Sequence, residues 1–158
     1  MLEKIFQEYD CDTPHRAQGI FCSIFIHENR LQTACEKMQK DISMKQWLLL
    51  AMLERCPAPR TLSNVGILMG CSRQNVKKLA VTLEKKGYLR LVEGENNSLC
   101  LEPTGKIEAI SQELAERRAM VLQLLFSEFS EEEIAEFYRL YWKLNTGMAR
   151  VEEYVKED

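Results

Sequence analysis

Six residues in one short stretch, Ser72, Arg73, Gln74, Asn75, Lys77 and Lys78, carry the side chains best suited to recognition chemistry in this chain. The arginine fork matches the two acceptors on a guanine edge, and a glutamine amide can both donate to and accept from adenine. The lysine ammonium groups suit phosphates. Ser72 can cap a helix, which puts Arg73 and Gln74 in the leading turn, where side chains reach base edges when a helix enters the major groove. This is non-covalent chemistry. Catalysis finds little support, so the chain is not expected to be an enzyme. It has no His-Glu-x-x-His, no phosphate-cradling glycine loop, no nucleophile spaced with a base, and only His15 and His27 as imidazoles.

The elements that must position these residues are legible around them. Thr61 can cap a helix of about two turns that ends at Gly70, and Gly87 stops the helix opened by Ser72. Two short helices joined by a glycine-containing turn form a helix-turn-helix, with Cys71 as the small residue packed at the turn. In the second helix Val76, Leu79, Ala80 and Leu83 fall on one face, and Gln74, Lys78 and Lys85 on the other. An isolated basic helix is more often a solvated face than a reader of DNA. The glycine turn, the preceding capped helix and the following Gly87-Tyr88-Leu89 shift the balance to DNA binding. A winged helix can also dock proteins, and salt-dependent DNA binding separates the two classes.

Residues 89–92 and 98–101 read as two strands around the polar turn Gly94-Glu95-Asn96-Asn97. Upstream, Thr13-Pro14 starts a long helix to about Gln39, with Ile20, Phe21, Ile24, Leu31, Cys35 and Met38 near helical spacing. Ser43 and Gln46 form a capping box for a helix from Met44 to about Arg55, stopped by Pro57 and Pro59. Downstream, Pro103-Thr104-Gly105 precedes a helix of about twenty residues, and a capping box at Ser130 and Glu133 launches the last helix. In that helix Ile134, Tyr141, Met148 and Val155 recur every seven residues, with Phe137, Leu144 and Val151 three further on. Such a seam packs along another helix, and Phe6, Tyr138 and Trp142 add apolar surface beyond it, so a partner subunit is expected. The expected fold is mainly α with a small β-hairpin wing. A winged helix-turn-helix part at 43–103 lies between dimerisation helices at 1–42 and 104–158.

The net charge of −3 hides an uneven distribution. Residues 71–90 hold six cations against one acid, whereas residues 126–158 hold four cations against nine acids. Phosphate attraction follows the local footprint. Six scattered cysteines include no Cys-x-x-Cys pair, so neither a metal site built from paired ligands nor a cofactor is expected. Without an apolar run long enough for a bilayer or a secretory signal, the chain reads as cytoplasmic with no membrane partner.

The segment CSRQNVKKLAVTLEKKGYLR, residues 71–90, resembles the recognition helix and first wing strand of the MarR family. LEPTGK at 101–106 and the order of helices extend the resemblance over nearly the whole chain. It implies a homodimeric transcriptional regulator whose recognition helices, starting at Ser72, enter successive major grooves of double-stranded DNA under the control of an effector. The family wing commonly carries Asp-x-Arg, whose arginine enters the minor groove. Here the tip is acidic, Glu93-Gly94-Glu95-Asn96-Asn97-Ser98, and Arg90 is the nearest cation. Either the wing touches the backbone through Asn96, Asn97 and Ser98, with Arg90 nearby, or the chain binds DNA less tightly than its relatives. The first is favoured, because phosphate contacts need only polar donors.

Two inputs are open. A small aromatic or apolar effector would find Phe21, Phe25, Met44 and Trp47 as candidate lining, although such a stripe is more often core. Oxidation would act through Cys71, beside Arg73 at a helix start, or through Cys22. Cys22 stands about three residues from the reactive thiol of peroxide-sensing relatives and has no matching tyrosine. Inert thiols are the default.

Overall fold

In a computed structural model that describes residues 1–37 and 41–157, the chain forms eight α-helices, one 3-10 turn at Glu95–Asn97 and one two-stranded sheet among those residues. They fall into two compact units, Met1–Ile107 and Glu108–Asp158. Gln39 and Met38, expected in the first long helix, lie outside the described residues. No described helix is long and apolar enough to cross a membrane.

The first unit opens with a short helix, α1 (Leu2–Glu8), followed by α2 (Thr13–Glu36). The cap of α2 is Asp12 rather than Thr13, because its carboxylate accepts the His15 amide at 2.9 Å and leaves Pro14 inside the first turn. The expected apolar face of α2 is mostly uncovered: Ile20, Phe21, Ile24 and Leu31 are exposed, and Cys35 alone of that set is buried among the described residues. α3 (Met44–Arg55) begins as the sequence requires, with Gln46 and Ser43 exchanging both capping-box bonds. Glu28 and Lys45, 4.0 Å apart, link α2 to α3.

The winged part gathers α3, α4 (Leu62–Met69), α5 (Arg73–Lys85), β1 (Leu89–Glu93) and β2 (Leu99–Pro103). Its core is fully enclosed: Leu49, Leu53, Val65, Val76, Ala80 and Leu83 expose none of their surface. Each large aliphatic side chain buried this way contributes about 1.5–3 kcal/mol. The hairpin pairs Leu91 with Leu101 and Glu93 with Leu99. A third short segment joins the sheet, because Thr61 bridges Cys100 and the Leu101 amide donates to the Arg60 carbonyl at 2.9 Å. That pairing links residues about forty apart and leaves no local mark in the sequence.

The second unit begins within α6 (Lys106–Glu113) and continues with α7 (Ala115–Leu125) and α8 (Glu131–Glu157). The single helix expected over this stretch is interrupted at Leu114, which still has right-handed backbone angles and is buried. Ser130 Oγ accepts the Glu133 amide at 3.2 Å and Glu133 returns the bond to the Ser130 amide at 2.9 Å, the expected capping box of α8. Phe126, Phe129, Phe137 and Tyr141 form a chain of ring contacts with centroids 5.7–6.0 Å apart.

Candidate nucleic-acid interface

Tight approach of α4 and α5 depends on two glycines. Gly70 ends α4 at φ 61, ψ 34, a left-handed conformation that a residue with a Cβ adopts only under strain. Gly66 matters for a different reason: a Cβ there would stand 2.8 Å from the Cys71 carbonyl oxygen. The Cys71 amide donates to the Gly66 carbonyl at 2.9 Å, so the turn folds directly onto the α4 backbone. Sequence reasoning found Gly70 and missed Gly66; a glycine within a short helix was the available signal. Cys71 is half-buried at this turn rather than packed fully beneath it.

Ser72 caps α5, its hydroxyl accepting the Asn75 amide at 3.3 Å. This cap aligns the first turn. Val76, Ala80 and Leu83 anchor the inner face completely, and Leu79 is half-buried at its edge. The outer residues Arg73, Gln74, Asn75, Lys77 and Lys78 are all exposed. Arg73, Gln74 and Lys77 together line an open hollow of about 290 Å³. Two cations and an amide around one hollow, at a helix end carrying positive backbone dipole, form an arrangement that attracts anions and retains hydrogen-bonding donors.

The wing is fixed to this helix. Glu84, on α5, accepts the Leu91 amide of β1 at 2.7 Å. At the base of the hairpin Thr104 Oγ donates to the Gly87 and Tyr88 carbonyls at 2.8 and 3.0 Å. Lys106 donates to the Lys86 carbonyl at 2.8 Å and lies 4.3 Å from the centre of the Tyr88 ring. The Tyr88 hydroxyl in turn donates to the Asp41 carboxylate, and the Lys86 ammonium to the Asp41 carbonyl. At the tip, Asn96 and Asn97 take positive φ values of 54 and 56, which asparagine tolerates better than most residues. Both side chains are exposed. Arg90 stands across the strands from Glu102 and forms an ion pair with it at 3.1 Å. That exposed pair is worth at most about 1 kcal/mol, so a stronger anion can displace the carboxylate.

The other candidates, Cys71 at the α4–α5 turn apart, lie elsewhere in the first unit. Phe21 and Phe25 stack edge to face on α2 with centroids 5.2 Å apart and remain 61% and 55% exposed. Met44 and Trp47 are half-buried at the start of α3. Cys22 and Cys71 are half-buried free thiols on separate elements.

No family model and no curated protein matches the chain. Several solved structures do match. A MarR/EmrR family transcriptional regulator from Acinetobacter sp. ADP1 is 16% identical with a TM-score of 0.74, covering 85% of this chain and 97% of its own. The S. aureus MepR–DNA complex is 17% identical with a TM-score of 0.64, covering 83% and 95%. The PcaV transcriptional regulator from Streptomyces coelicolor, in complex with its natural ligand, is 18% identical with a TM-score of 0.62, covering 86% and 93%. This chain therefore has the winged helix-turn-helix fold of MarR-family transcriptional regulators.

Proposed function

We propose that the chain is a sequence-specific DNA-binding regulator of transcription, acting as a homodimeric repressor on a pseudo-palindromic operator. The observation that carries this reading is the first turn of α5, where Arg73, Gln74 and Lys77 surround one open hollow on a helix-turn-helix with an otherwise buried inner face. A structural neighbour solved with DNA supports the same reading. Arg73 and Gln74 read base edges; Lys77 and Lys78 contact phosphates; Ser72 and Asn75 hold the turn. Asn96 and Asn97 touch the backbone from the wing, and Arg90 joins them by exchanging Glu102 for a phosphate.

The homodimer rests on α8, whose seam of Ile134, Phe137, Tyr141, Leu144, Met148, Val151 and Val155 is exposed throughout in the single chain. A second copy of the same helix covers it by the heptad geometry. A small aromatic or apolar effector, engaging Phe21, Phe25, Met44 and Trp47, modulates DNA affinity; a neighbour solved with its natural ligand supports this part.

Affinity for a selected operator and for a scrambled duplex, measured at several salt concentrations, tests the proposal. Arg73→Ala costs about 1–3 kcal/mol on the operator and relaxes preference at one base position per half-site. Lys78→Ala weakens both duplexes alike and lowers the slope of log affinity against log salt by about one unit. The half-sites lie roughly 10 base pairs apart, centre to centre. Intact operator binding in both variants would remove α5 as the reader and leave the protein-docking class of winged helix.

A further inference from the structure

The turn between α1 and α2 gathers three groups that the DNA-binding reading does not use. One ligand atom each from Cys11, Asp12 and His15 lies within 4.8 Å of the other two, and all three residues are exposed. Asp12 Oδ1 and His15 Nδ1 are 2.8 Å apart and share a hydrogen. Both are metal-ligand atoms, and a metal ion takes the place of that proton. Bonds to zinc near 2.1 Å, set at a tetrahedral angle, separate two ligand atoms by about 3.4 Å, a change of roughly 0.6 Å for this pair. The sulfur belongs to an exposed side chain, so its approach to the ion displaces no buried group.

The turn that presents them is braced. Arg16 Nε donates to Asp10 Oδ1 at 2.6 Å, tying the residue before Cys11 to the first turns of α2. Tyr9 packs closely against Gly19, where an added Cβ would come within 2.9 Å of the Tyr9 Cβ. The bare glycine thus lets the turn close on the helix and hold Cys11 beside Asp12 and His15.

We infer that Cys11, Asp12 and His15 form a site for a borderline-soft divalent cation of the zinc class, with a fourth position open to water. Thiolate and imidazole together select zinc over magnesium or calcium, which prefer oxygen ligands. One thiolate and one carboxylate neutralise the ion, so the positive end of α2 meets no net charge. Binding releases the thiol proton to solvent and shifts the imidazole hydrogen from Nδ1 to Nε2, so the ring stays neutral and no oxidation state changes. The spacing Cys-Asp-x-x-His is not a paired-ligand signature, and it becomes a cluster only through the fold of the turn.

The test is titration of the reduced full chain with Co²⁺, followed by its thiolate charge-transfer absorption and by displacement with Zn²⁺. One cobalt per chain binds at micromolar metal, zinc displaces it, and millimolar Mg²⁺ does not. Cys11→Ser abolishes the charge-transfer band. His15→Ala, which leaves all six cysteines in place, weakens binding by about tenfold or more. Cys22→Ser leaves the titration unchanged, and far-UV circular dichroism shows each variant folded. Absence of uptake at micromolar metal overturns the site, as does uptake that both Cys11→Ser and His15→Ala leave unaltered. DNA affinity does not enter the readout, so failure here is distinct from failure of the regulatory reading.

Discussion

Helices α5 and α8 carry the same kind of apolar repeat and treat it in opposite ways. On α5, Val76, Ala80 and Leu83 are fully buried by the rest of the winged part. On α8, the seam from Ile134 to Val155 remains 38% to 62% exposed. Periodicity reports that a helix has an apolar face; it does not say whose atoms cover it. For α5 the cover comes from the same chain, because α4 and the hairpin flank it closely in sequence. For α8 the described residues leave the seam partly exposed, with Phe129 alone packing a ring on Phe137, and α8 is also the more acidic region, rich in the charge that keeps an exposed helix in water. Folding and association are separable on this reading: one face specifies a domain, and the other is the face that the proposed second copy would cover.

The largest effect that separates the two regions comes from deleting residues 146–158, which removes Met148, Val151 and Val155 from the seam. Sedimentation of the shortened chain shows monomer or aggregate, and a well-folded dimer of unchanged affinity would refute the role given to α8. Single substitutions draw the same line more finely. Leu83→Ala, in the enclosed core, lowers stability by about 2–5 kcal/mol at any protein concentration. Leu144→Ala, 39% exposed in the single chain, acts through association, so its loss of melting temperature is absent at concentrations where the chain is monomeric and grows to a plateau as protein concentration rises. Equal concentration dependence in the two variants would erase the distinction.

Much of the winged part was legible because its signals are local. Ser43, Thr61 and Ser72 each cap the helix their position implied, and the bounds of α3 follow from Ser43 at one end and Pro57 at the other. What escaped was non-local or short. α1 spans seven residues and has no side-chain cap, too little for a periodic pattern. Asp12 and Thr13 are both capping residues, and the choice between them is made by the His15 amide. The bridge from Thr61 to Cys100 and the close pass of Cys71 over Gly66 arise from tertiary pairing. Within the candidate interface, the exposed first turn of α5 was readable from capping and face analysis, whereas the engagement of Arg90 by Glu102 depends on strand register.

The smallest expected effect concerns the thiols. Cys71 lies at the turn that aims α5 and Cys22 on the flanking α2, so they test whether either region answers to oxidation. Mild peroxide leaves operator affinity unchanged in a gel-shift assay. A reversible loss of binding that Cys71→Ser or Cys22→Ser abolishes would instead establish a redox input and place it in one of the two elements.

The knot of Asp41, Tyr88, Lys86 and Lys106 has a mechanical consequence. It fastens the far end of α5 to the residues just before α3 and to the head of α6, the two places where the winged part joins the flanking helices. Arg73 stands twelve residues away along α5 from Lys85, about 18 Å at the helical rise. A tilt of about 10° at the knot would swing Arg73 through roughly 3 Å, a displacement as long as a hydrogen bond. A pivot placed at one end of the winged part thus turns a small rotation of that part as a whole, its core contacts intact, into a shift sufficient to part the Arg73 side chain from a base edge in the proposed complex.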